Sequence, residues 1–187
     1  MSEAENSAKV EAQMRRWVER AVIGLNLCPF AKAVAVKEQI RYVVSQATAP
    51  DTLLEDLRRE LLHLAAADPQ AVDTTLLVHP GVLQDFLDFN DFLGRAQELL
   101  EELDLVGELQ IADFHPHYQF ADSRVDDIEN CTNRAPYPTL HLLREASIDR
   151  AVEAFPEAET IYEANMDTLR RLGHEGWARL MSQTDTE

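Results

Sequence analysis

The chain has 187 residues, 45% hydrophobic and 27% charged, and its 34 Asp and Glu against 17 Lys and Arg give a formal charge of −17. That length suits one domain with a substantial core. The negative charge favours solubility and speaks against tight contact with nucleic acid or an anionic membrane face, because both need local cationic surface.

The first residues, Met-Ser-Glu-Ala-Glu-Asn-Ser, read as a flexible polar tail over about 1–8. They lack the basic region and apolar core of a secretion signal, and no apolar run in the chain approaches membrane-spanning length. Cys28 and Cys131 are the sole cysteines, so no disulfide framework supports the fold, and a reduced, cytoplasmic protein is the expectation. Val10, Met14, Trp17, Val18, Ala21, Val22 and Leu25 form a helical stripe. Gly24 and Asn26 suit its end, Pro29 blocks simple continuation, and residues 31–36 add a helical turn. Residues 40–45, Ile-Arg-Tyr-Val-Val-Ser, read as a strand.

Pro50 breaks the chain, and Thr52 with Glu55 predicts a capping box. The helix that follows turns Leu53, Leu57, Leu61 and Leu64 inward and ends near Asp68-Pro69. Residues 74–78 are a nearly continuous apolar strand, as expected when both faces are covered. A helix over 83–103 repeats apolar residues at Leu83, Phe86, Leu87, Leu93, Leu99, Leu100 and Leu103. In that stretch Asp85, Asp88, Asp91, Glu98, Glu101, Glu102, Asp104 and Glu108 face a single Arg95. A solvated helix face is the plain reading and an acidic docking surface the alternative. Gly107 separates this helix from a strand over 108–114. After a long loop, 139–143 predicts a further strand, helices over 148–155 and 160–181 close the chain, and 182–187 form a second tail.

This order implies a single α/β domain over 1–187, with a small mixed, mostly parallel sheet of about four strands flanked by helices. The last strand could run antiparallel, at an edge or between neighbours.

Two strands end alike, at Val78-His79-Pro80 and Phe114-His115-Pro116. If they are parallel, both His-Pro pairs sit at the carboxyl edge, where open α/β sheets place ligand crevices. His115-Pro116-His117 is the sharpest local signal: Pro116 holds His115 extended, so both imidazoles can point to one side. That geometry suits two ligands of one divalent metal, or an acid/base group beside a binding group. A third metal ligand could come from His79, His141, Asp113, Glu129 or Cys131. The competing reading is structural histidines that cap their strands.

The stretch 111–145 holds three of the six histidines and one of the two cysteines. Its middle has neither helical nor strand period, and long loops inside compact domains tend to be functional. Around Cys131, residues Glu129, Asn130, Asn133 and Arg134 could bind a polar substrate, with Arg134 clamping an anion. They could equally satisfy one another and the loop backbone. Tyr118 and Tyr137 fit either a pocket wall or a loop anchor, and Arg144-Glu145 reads as a structural pair. Cys28, just before Pro29 at a helix start, could be an activated nucleophile or a small buried hydrophobe.

No Gly-rich phosphate loop, His-Glu-x-x-His helix, Gly-x-Ser-x-Gly turn or paired-Cys zinc spacing is present, and no nucleotide cofactor is expected. Gly-Leu-Asn-Leu-Cys-Pro-Phe-Ala (24 to 31), Val-His-Pro (78 to 80), Phe-His-Pro-His-Tyr-Gln-Phe-Ala (114 to 121), Glu-Asn-Cys-Thr-Asn-Arg-Ala-Pro-Tyr-Pro (129 to 138), His-Leu-Leu-Arg-Glu (141 to 145) and Leu-Gly-His-Glu-Gly-Trp (172 to 177) form a set. On these motifs, over nearly its whole length, the chain resembles the bacterial family known as domain of unknown function 1415. The resemblance implies a single-domain bacterial cytoplasmic protein and assigns no catalytic roles.

The functional expectation is an enzyme, a hydrolase or group transferase, acting on a small polar, anionic substrate. His115 or His117 would be the acid/base group, Cys28 the nucleophile, and Arg134, Asn130, Asn133, Glu129, His79 and Tyr118 would bind substrate. The alternative is a non-catalytic protein that binds a metal or metabolite or docks a partner.

Overall fold

Four strands form one sheet in a computed structural model that describes residues 3–155, 157 and 160–182. They are β1 (Ile40–Val44), β2 (Thr74–Val78), β3 (Leu109–Phe114) and β4 (Thr139–Arg144), in the order β1-β2-β4-β3. The pair β1 and β2 is parallel, whereas β4 runs antiparallel to both β2 and β3. The sheet is therefore mixed and not mostly parallel. The reason lies in the connection to β4. A parallel β4 would require the chain to cross to the opposite edge, usually through a helix. Residues 115–138 lack a helical crossover and stay where β3 ends: His115 N–H bonds the Asn133 carbonyl at 3.2 Å, and His79 N–H bonds the Pro138 carbonyl at 3.0 Å. The chain thus enters β4 from that edge and runs back. The strands β1, β2 and β3 share a direction, so His79 and His115 do follow carboxyl ends at one edge.

Helices cover both faces. Helices α3 (Pro50–Ala66) and α4 (Phe86–Glu102) bury Leu53, Leu57, Leu61, Phe89, Phe92 and Leu99 against Leu77, Leu140, Leu142 and Leu109. On the other face α1 (Glu3–Trp17) sets Val10, Met14 and Trp17 on Leu76 and Val78. Strand β2, in contact with both layers, is buried at every position. A short α2 (Ala31–Val36), α5 (Glu145–Ala154) and α6 (Ile161–Ser182) complete the order, with α6 kinked at Gly173. No helix among the described residues is long and apolar enough to cross a membrane.

Several local expectations shift. Helix α1 starts at Glu3, inside the stretch expected as a tail, while residues 1–2 and 183–187 lie outside the described ones. Helix α3 starts at Pro50, whose fixed φ suits a first helical position, so the Thr52–Glu55 box does not form and the Thr52 hydroxyl donates to the Ala49 carbonyl at 2.9 Å. In α4 the cap is Asp85, which accepts from Leu87 N–H at 2.8 Å and Asp88 N–H at 3.2 Å. That start sets the phase in which Phe89, Phe92, Ala96 and Leu99 face inward and Leu87 is 72% exposed. Asp88, Asp91, Glu98, Glu101 and Glu102 are exposed, the solvated face of the plain reading.

The turn after α1 explains the first motif. Residues Val18–Ile23 are π-helical, and Gly24 N–H closes the wide turn on the Glu19 carbonyl at 3.0 Å. A Cβ at Gly24 would stand 2.2 Å from the Arg20 carbonyl oxygen, so only glycine fits without moving backbone. Asn26 takes a positive φ of 53°, and Leu27 then inserts beside Cys131 and Leu169 in a small third core cluster.

Candidate functional site

The carboxyl edge carries a row of packed rings. His79 and His115 both contact Phe89, at centroid distances of 5.5 and 5.2 Å. Phe86 contacts His115 and Tyr118, and Tyr118 contacts Phe120. Both histidines are 0% exposed. His79 Nδ1 lies 3.0 Å from the Val82 carbonyl, and His115 Nε2 lies 3.1 Å from the Leu83 carbonyl. A carbonyl only accepts, so His79 carries its proton on Nδ1 and His115 on Nε2. The two imidazoles thereby pin the loop between β2 and α4, including Leu83 at its positive φ of 57°. That shared duty explains why two strands end in His-Pro.

His115 has no lone pair left. Its Nδ1 accepts the His117 backbone N–H at 3.0 Å. A metal would have to displace that bond, so His115 and His117 do not fit a shared metal ion. Among the described residues no three His, Cys, Asp or Glu side chains come together as a metal site. Burial holds His115 below the usual imidazole range, opposed by the Leu83 bond. Burial likewise pushes His79 down to about 4, and its Nε2 lone pair is buried without a hydrogen-bond donor among the described residues. His141 also falls to about 4 through desolvation, and its Nε2 lies 2.8 Å from the Thr74 hydroxyl on the neighbouring strand.

The Cys131 loop satisfies itself. Asn130, 0% exposed, accepts from Phe120 N–H at 3.0 Å and the Ser123 hydroxyl at 2.9 Å, and donates to the Arg124 carbonyl at 2.7 Å. Arg134 donates to the carbonyls of Tyr118 at 3.0 Å and Val125 at 2.9 Å. Glu129, held below the usual range by its own backbone N–H and by Arg170, pairs with Arg170 at 2.6 Å. Cys131 is buried and its thiol is pushed up by desolvation, with Arg134 opposing. Cys28 is half-buried. Its N–H bonds the Val22 carbonyl at 3.3 Å, its carbonyl accepts from Ala31 N–H at 3.2 Å, and no group among the described residues hydrogen-bonds its thiol. A nucleophile needs a base in reach, and none is bonded here. Arg144 does not pair with Glu145; it donates to the Leu64 carbonyl in the last turn of α3 and to the carbonyls of Ala67 and Val72 beyond it.

What remains uncommitted at this edge is Asp113, the exposed His117, Tyr118 and Asn133. Asp113 shares a strand face with Leu109 and Ile111, the face that packs on α3 and α4. Its carboxyl is half-buried, raised above the usual range by desolvation, and makes no hydrogen bond or ion pair among the described residues. The charge of Asp113 reaches Tyr118, whose phenol is raised first by burial and then by that charge, while the nearby Asn133 side chain lowers it. The expected site residues His79, His115, His117, Tyr118, Asn130, Asn133 and Arg134 thus share one edge. Glu129 is committed to Arg170, and Cys28 bonds its own turn.

A family model described as a protein of unknown function (DUF1415) matches residues 9–179. The chain belongs to this family. The match takes in every motif quoted above, from the π-turn glycine to the His-Glu-Gly-Trp of α6. No curated protein and no solved structure matches the chain.

Asp113 is more than the third metal ligand that its place in the sequence suggests. The signal was available: alternation along β3 places Leu109, Ile111 and Asp113 on one face, and a carboxylate in an apolar row is unusual.

Proposed function

We propose that the protein is an enzyme, a hydrolase or group transferase, acting on a small polar substrate at the carboxyl edge beyond β3. Asp113 is the proton-transferring group in this reading, and His117, Tyr118 and Asn133 orient the substrate. The observation that carries it is the Asp113 carboxyl: desolvated, raised above its usual range, and without a hydrogen-bond or ion-pair partner among the described residues. Raised carboxyls beside a polar cluster are what general acid/base chemistry near neutrality uses. His115, with both nitrogens engaged, serves as a positioning residue that fixes the His117 backbone and the Leu83 loop. Arg134 holds the loop and does not clamp an anion in this reading.

A panel of small esters, amides, phosphate esters and glycosides, assayed with wild type and Asp113→Asn, tests the proposal. The expectation is turnover of at least one class, reduced by about 100-fold or more in the variant, the scale of a lost acid/base group. Turnover that survives Asp113→Asn unchanged removes Asp113 from the chemistry. A second reading, ligand binding without chemistry, is favoured by the closure of Asn130 and Arg134 on their own backbone. It predicts saturable shifts of the His117 imidazole NMR signals by panel members that are never turned over.

A further inference from the structure

We infer a second binding site, for a small amphipathic anion, in the cleft between α1, the C-terminal end of α6 and Pro136. The cleft holds about 440 Å³, within the range of small-molecule sites. Arg16 and Arg20 line it one helical turn apart, and none of its described lining residues is acidic. In a chain of charge −17 that local pairing of cations is a selective feature. Arg16 makes no hydrogen bond or ion pair with any described residue.

Two further residues that line the cleft carry donor groups. Trp17 lines it and is 2% exposed, and its indole N–H is buried without an acceptor among the described residues. A buried donor left unpaired costs free energy, so an acceptor supplied from outside gains more there than at an open surface. Gln13 accepts the Tyr137 hydroxyl on its carbonyl oxygen, which leaves the amide nitrogen to donate. Opposite these groups stand Pro136, Leu180 and Met181, an apolar wall. Donors on one side and hydrocarbon on the other select one carboxylate or phosphate head on an apolar body. The π-helical turn Val18–Ile23, which contains Arg20, widens the helix at this place, a local cost that π-turns commonly carry at functional sites.

The site is separate from the one proposed at Asp113. Trp17 packs on Phe114 at 4.9 Å on the α1 face, whereas Asp113 lies on the opposite face of β3. Loss of one reading leaves the other standing.

Octanoate and octyl phosphate, titrated at millimolar concentration into full-length ¹⁵N-labelled protein, test the inference through the indole N–H resonances. The chain has two tryptophans, and the spectrum of Trp177→Phe assigns them. The expected result is a saturable shift of the Trp17 indole signal by at least one of the two anions, with 1-octanol inactive. Arg16→Gln should weaken binding by about tenfold or more, the scale of a lost charged hydrogen bond, and Arg16→Lys should restore part of it. The inference is overturned if neither anion moves the Trp17 signal, if 1-octanol moves it equally, or if Arg16→Gln binds as well as wild type. Octyl phosphate binding alone identifies a phosphate-selective head group, and octanoate binding alone a carboxylate-selective one.

Discussion

The Nδ1 of His115 accepts the backbone N–H of His117 at 3.0 Å, and this bond gives two neighbouring histidines opposite roles. His115 is sealed into the core with its other nitrogen on Leu83, while His117 stands in solvent. His115→Ala should therefore cost about 3 kcal/mol, from lost packing and an orphaned Leu83 carbonyl. His117→Ala should change stability by under about 0.5 kcal/mol. Urea unfolding of the two variants measures the difference, and similar losses would mean that His117 also serves the core.

Asp113 is predicted to be kept at the expense of stability. Its folded carboxyl is raised, so the native state holds a proton more tightly than the unfolded chain does. Such a group contributes fully below the unfolded pKa and loses that contribution as pH rises through the folded one. Near neutrality the ionised carboxylate is a net burden. Asp113→Asn should accordingly raise the melting temperature at neutral pH, with the gain vanishing in acid. Calorimetry at two pH values checks the sign.

Acid should destabilise the protein through its buried imidazoles. His79 and His141 lie near 4 in the folded state, against about 6.5 for an exposed imidazole. Above about pH 6.5 neither state binds these protons. As pH falls from there toward about 4 the unfolded chain binds protons that the native state refuses, so stability drops. The slope is up to about 1.4 kcal/mol per pH unit for each histidine. His141→Gln should flatten it by up to one proton in urea titrations at successive pH values, and an unchanged slope would rule out a depressed His141.

Arg144 is predicted to anchor the end of α3 from across the sheet. It is 8% exposed and donates to the carbonyls of Leu64, Ala67 and Val72 at 2.7 to 3.0 Å. A cation at a helix C-terminus is favourable, and several carbonyls would lose their donor together. Arg144→Ala should cost about 3 kcal/mol, and Arg144→Lys should recover only part of it, because an ammonium lacks the planar fork. Hydrogen exchange should show the last turn of α3 opening first in both variants.

The legible part of this chain was its local periodicity. Leu53, Leu57, Leu61 and Leu64 announce α3, and the apolar run Thr74–Val78 announces a strand covered on both faces. The direction of β4 was not legible, because Thr-Leu-His-Leu-Leu-Arg alternates equally well either way. Its direction comes from where residues 115–138 travel. The same limit applies to the site. The sequence displays His115, Asn130 and Arg134 as reactive groups but not the backbone atoms that occupy them, such as a Leu83 carbonyl 32 residues distant. Arg16 and Arg20 carry no local sign of a site, since nothing in the sequence around them reveals that α6 returns to make a cleft with them.

The place of β4 between β2 and β3 also bears on synthesis of the chain at the ribosome. Strands β1 and β2 can pair as soon as both have emerged, but β3 touches no strand except β4. Until residue 144 is out, the inner edge of β2 is unpaired and β3 has no sheet to join. A chain stalled or cleaved within 115–138 would leave that apolar edge open, a template for pairing with another chain. Release of the last strand therefore acts as the clasp that closes the molecule, and nascent chains ending before it are the ones that chaperones must hold.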